Sequence, residues 1–77
     1  MIKELDIVAL TRDVPEFGLV TGDIGTVVFD YSERKGSPAF EVEFTSLNGK
    51  AIAVVTLGIN DARPVRDKEI AHVRQVA

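Results

Sequence analysis

Glu41 and Glu43 stand two positions apart in FEVEF, alternating with Phe40, Val42 and Phe44. On a β-strand that spacing puts both carboxylates on one face, about 6.7 Å apart along the chain. Carboxyl pairs near that separation can hydrolyse glycosides, one acting as general acid and the other activating water. A strand with one face in water gives the same pattern, and charge on that face also discourages sheets from sticking edge to edge. The solvated face is the reading adopted here. His72 is the one side chain whose ordinary pKa lies near neutrality. A nucleophilic triad needs a nucleophile and an orienting acid beside such a histidine. Ser32, Ser37 and Ser46 fall in turn-like stretches, and His72 falls in the C-terminal tail. With no cysteine and a single histidine, neither a disulfide nor a zinc site of the usual kind can be assembled. The expectation is no catalytic residue, no metal, no cofactor and no enzyme.

The elements that must position any site are short and β-rich. DIVAL (Asp6 to Leu10) is a first strand. TRDVPEFGLVTGD, broken by Pro15, Gly18 and Gly22, is a long loop. IGTVVFDY (Ile24 to Tyr31) is the most strand-like segment, because β-branched and aromatic side chains fit a pleated surface. SERKGSP is a polar turn, and AFEVEF (Ala39 to Phe44) is a half-buried strand. Asn48-Gly49 suits a type I′ hairpin turn into AIAVVTL (Ala51 to Leu57). GINDA fits a turn or one turn of 3-10 helix, and Arg63 to Val65 a short last strand with Pro64 at an edge. In the tail, Asp67 could cap a short amphipathic helix with Ile70, Val73 and Val76 on one side, although the segment also alternates weakly.

Five short strands in this layout predict an all-β fold, a five-stranded SH3-like small barrel over residues 1–66 with a tail over 67–77 that a short helix would fit. The glycines of GLVTGDIGTVV then have a reason: a small barrel bends its second strand and brings loop backbone close to it. The expected core is Val8, Leu10, Leu19, Ile24, Val27, Phe29, Phe40, Val42, Phe44, Val55 and Leu57, with Ile7 toward the opposite face.

DIVALTRDVPEFGLVTGDIGTVV, with FEVEF, AVVTL and ARPV after it, resembles the bacterial domain-of-unknown-function family 4926 across about Lys3 to Val65. That resemblance implies an SH3-like barrel and no established activity, so it supplies no functional residues.

Binding is then the open question. Net charge is −3 and the basic residues are dispersed, which disfavours nucleic acid. Arg34, Lys35, Arg63 and Arg66 are the one candidate phosphate patch. A KOW-like RNA- or ribosome-associated domain is the alternative reading. No apolar run is long enough to span a membrane, and the opening MIKELDIVAL has no apolar leader region, so the cytoplasm is the expected location. In the first loop, Pro15, Phe17 and Leu19, with Tyr31, could form an apolar platform rimmed by Asp13, Glu16 and Asp23; the preferred reading is that the loop folds back and plugs one barrel mouth, burying Phe17 and Leu19. AIAVVTL is apolar on both faces, so a second cover is needed over Ile52 and Val54, supplied either by the tail or by another subunit. The expected binding residues are therefore Pro15, Phe17, Tyr31, Ile52 and Val54, and the expected partner is a protein or a second copy of the chain.

Overall fold

The computed structural model describes residues 2–31, 36 and 38–76. Its strands are β1 (Ile7–Leu10), β2 (Ile24–Asp30), β3 (Ala39–Thr45), β4 (Ala51–Gly58) and β5 (Ala62–Pro64). All pair antiparallel in one sheet of order β4-β3-β2-β1-β5, so the fold is all-β. Among the described residues no ladder joins β4 to β5, and barrel closure by hydrogen bonds is not seen. The two end strands still share one core, since Leu57 of β4 and Ala62 of β5 belong to the same buried cluster as Val8, Val27 and Val42.

Asp61 holds this arrangement at the β4–β5 turn. Its carboxylate accepts the Gly58 N–H (3.0 Å) and the Arg12 Nε–H (3.0 Å), and its carbonyl accepts the Thr11 N–H (2.9 Å). Those bonds set β5 beside β1. The expected single turn of 3-10 helix occurs elsewhere: Pro15–Phe17 forms it, inside a small hairpin closed by reciprocal bonds between Val14 and Leu19. Proline suits the first position of such a turn, where its missing N–H would have had no partner.

The core differs from expectation at two named positions, and one strand explains both. Ile24 is 40% exposed and Phe29 is 49% exposed. In β2 the inward slot opposite Val8 is occupied by Gly25, so Ile24 points outward. Three residues on, Val28 has no partner in β3, because Val27 pairs with Val42 and Phe29 with Glu41. Such a bulge resets the alternation by one residue and turns Phe29 to the outer face. Val14 and Ala62 join the core cluster in their place.

The β3–β4 hairpin also departs from a two-residue turn. The Gly49 N–H bonds the Ser46 carbonyl (2.9 Å), the Ser46 N–H bonds the Lys50 carbonyl (2.8 Å), and only Gly49 takes a positive φ, of 89°. This is the longer hairpin built on an ordinary turn followed by one left-handed residue. It leaves Ile52 unpaired, between the pairs Thr45–Ala51 and Phe44–Ala53.

Residues 67–76 contain a turn and no helix, so the helix that the Ile70-Val73-Val76 spacing allowed does not form. A segment this short barely nucleates a helix alone, and side-chain anchors tie this one to the sheet instead.

Candidate functional site

The sheet has an inner face, filled by the core, and an outer face. Pairing places Ile7, Thr26, Glu43 and Val54 in one row across the outer face of β1 to β4. The neighbouring row is Phe29, Glu41 and Thr56, with Val28 beside it at the bulge. Ile7, Val28, Phe29 and Val54 are all substantially exposed. Glu41 organises the polar part of this face: it accepts hydrogen bonds from the Tyr31 hydroxyl (3.1 Å) and from Thr56 Oγ1 (2.5 Å). The Tyr31 ring meets Phe29 edge-on with centroids 4.7 Å apart. The result is an apolar platform with the fixed Glu41 carboxylate standing in it and Glu43 in the adjoining row.

The other end of the outer face is crossed by the tail. Arg63 on β5 grips Glu69 with two bonds of 2.9 and 2.7 Å, and the Arg66 N–H adds a third at 2.6 Å. Further on, the Arg74 guanidinium donates to both oxygens of Asp23 and to the Gly18 carbonyl (3.0 Å). Val76 lies close to Gly18. Between the tail and the sheet runs a groove of about 980 Å³ whose walls include Ile24, Leu47, Ile52, Val65 and Ile70. Ala9 is buried there although it belongs to the outer face. The tail does not turn its other apolar side chains onto the sheet, since Ile70 is 85% and Val73 82% exposed. It straps one end of the face and leaves the platform open.

Of the binding residues expected from sequence, Tyr31 and Val54 stand on the platform, and Ile52 stands at its border with the strapped groove. Pro15 and Phe17 are exposed but lie apart on the 3-10 turn, and no hydrogen bond or ring contact among the described residues joins them to the platform. The first loop behaves as a plug, with Val14 and Leu19 buried and Phe17 left out. Asp13 and Asp23 of its supposed acidic rim are occupied internally. Asp13 accepts the Thr21 N–H (2.8 Å) and hydroxyl (3.0 Å), and Asp23 holds the Val20 N–H (2.8 Å) as well as Arg74. These bonds, chiefly Arg74 for Asp23 and the Thr21 N–H for Asp13, keep both carboxyls below the usual range. Arg34 and Lys35 of the expected phosphate patch lie outside the described residues, and Arg63 of that patch is paired with Glu69. Sequence reasoning missed Val28 and Phe29. Gly25 facing inward accounts for Ile24 and Thr26 facing outward, whereas Phe29 is turned out by the bulge, which no residue type announces.

The tail anchor predicts an acid response. Arg63 and the Arg66 N–H lower the Glu69 pKa from 4.5 to about 2. The folded chain therefore binds this proton more weakly than the unfolded one. The stabilisation is fully present above the unfolded value and is lost as pH falls from there through the folded value. Urea midpoints should drop between about pH 5 and about pH 2, and Glu69→Gln should show a smaller drop. An unchanged drop in that variant would remove the anchor from the account.

Among the described residues no helix is long and apolar enough to cross a membrane, and no group of three acidic or histidine side chains could hold a metal ion. No curated protein and no solved structure matches the chain. A family model, Domain of unknown function (DUF4926), matches residues 4–63, which takes in all five strands except Pro64. The chain belongs to the DUF4926 family, a family of domains of unknown function.

Proposed function

We infer that this chain is a small non-enzymatic protein-interaction module, of the accessory or immunity type that masks a surface on its partner, with the cytoplasm as its proposed location. The observation that carries this reading is the open platform. Ile7, Val28, Phe29 and Val54 stay exposed beside Glu41 and Glu43, in a chain whose own tail straps only the other end of the sheet. Apolar patches rimmed by polar residues mark interaction sites on soluble domains. The two carboxylates favour a partner that combines apolar side chains with lysine or arginine, through the charge complementarity that selects partners and speeds their encounter. An RNA-associated role has less behind it, because Lys3, Arg12, Arg63 and Arg74 each pair with a carboxylate of the same chain and phosphate binding draws on unneutralised cations.

The test is Phe29→Lys. Lysine there faces Glu41 across the β2–β3 pair, so the fold keeps a favourable cross-strand contact. Native co-purification should retain a specific protein on the wild-type chain and lose it on the variant. Equal recovery on both, or recovery of RNA that washes off with salt, would refute the reading.

A further inference from the structure

We propose that β4 pairs edge to edge with the β4 of a second copy, making a closed dimer with one continuous ten-stranded sheet. The two ends of the sheet are guarded very differently. β5 is three residues long and carries Arg63 and Pro64, both devices that block strand addition. β4 is eight residues long and has neither. Among the described residues β3 is its sole ladder partner, and no backbone hydrogen bond reaches the far edge from Ala51 to Leu57. The bulge at Ile52 is its one irregularity.

The charge pattern selects a second copy as the occupant. The chain is net negative, so most of its surfaces repel their own copies. Ala51 to Asn60 is its longest stretch without Asp, Glu, Lys or Arg, and it spans all of β4. A two-fold axis at Val54 sets Val54 against its own copy, Ala53 against Val55, and Ile52 against Thr56. The pairing ends before Gly58, whose N–H and carbonyl are both taken by Asp61, at 3.0 and 3.1 Å. Glu43 and its copy stand three strand spacings apart, about 14 Å, beyond the screening length at physiological salt. Because the contact is isologous and the β5 edge is blocked, assembly stops at two. The proposal uses the edge of β4 and leaves the outer face free, so it goes beyond the interaction-module reading and fails separately from it.

Analytical ultracentrifugation of the wild-type chain should give twice the 8.4 kDa chain mass. Val54→Lys should weaken the dimer at least tenfold by placing two like charges opposite each other, and circular dichroism should show its fold intact, since Val54 is already 53% exposed. The cysteine-free chain allows a second readout. Directly opposed antiparallel residues have Cα atoms about 4.5–5.5 Å apart, within disulfide range. Val54→Cys should therefore crosslink into a dimer under mild oxidation, and Thr26→Cys, two strands inward, should not. A wild-type monomer at high concentration would overturn the proposal, as would a dimer indifferent to Val54→Lys or equal crosslinking by the two cysteine variants. If a strand of some different protein occupies this edge, the isolated chain will be that monomer.

Discussion

Gly25→Ala should destabilise the fold by about 2–3 kcal/mol, the upper part of the range for an overpacked core, and Gly25→Val should leave little folded protein. A Cβ at this position would lie 2.5 Å from Val42 Cγ1, 2.9 Å from Phe44 Cε2 and 3.0 Å from the Glu43 carbonyl oxygen. Relief is hard to find. Val42 is β-branched and fully buried, and the Glu43 oxygen is backbone. Urea titration followed by far-UV circular dichroism reads the loss. Gly49→Ala is the control, because it separates space from conformation. Nothing lies near a Cβ there, but φ is 89°, and the left-handed conformation costs a side chain about 1–2 kcal/mol. A Gly25→Ala variant as stable as the wild type would mean that β2 does not turn this residue inward.

Leu57→Ala should cost about 2–5 kcal/mol, the usual loss for a buried leucine. Leu57 is 1% exposed and lies in the cluster that joins β4 to the rest of the core. A core of this size supplies only about 3–5 kcal/mol in all, so the variant should lose most of its stability margin and unfold at a much lower urea concentration. Three residues away on the same strand, Val54→Ala should shift stability by about 0.5 kcal/mol or less, as surface changes do. The contrast tests the sidedness of β4 within one element. Near-equal effects of the two substitutions would show that the strand has no fixed inner face.

How much of this was legible in the sequence follows from where the signals lie. β-branched and aromatic runs marked β1 to β4, because propensity and alternation report local backbone directly; β5 has no such residue and begins one residue before the Arg63 to Val65 read from the sequence. Sidedness was legible in β4, where two apolar faces placed Ile52 and Val54 away from the core. It was not legible in β2. A glycine in a core slot has no hydrophobic signature, and a bulge inserts a residue that looks like any other. Ile24 and Phe29 were therefore expected inside. Tail spacing was compatible with a helix, but Glu69 is held by Arg63 on β5 and Arg74 by Asp23 across the fold, and helical periodicity carries no information about such partners. The same limit hid the platform. Its rows are set by register between strands, and so by the two bulges.

The central claim is that β2 presents Phe29 to the outside, building an apolar, carboxylate-bearing face that the chain does not cover itself. Equilibrium urea unfolding of Phe29→Lys tests this most directly. The account predicts a folded protein within about 1 kcal/mol of wild type, the scale of a change at an exposed, cross-strand-paired position. A lysine forced into the core would instead be an unpaired buried charge costing several kcal/mol, and an unfolded variant would contradict the account.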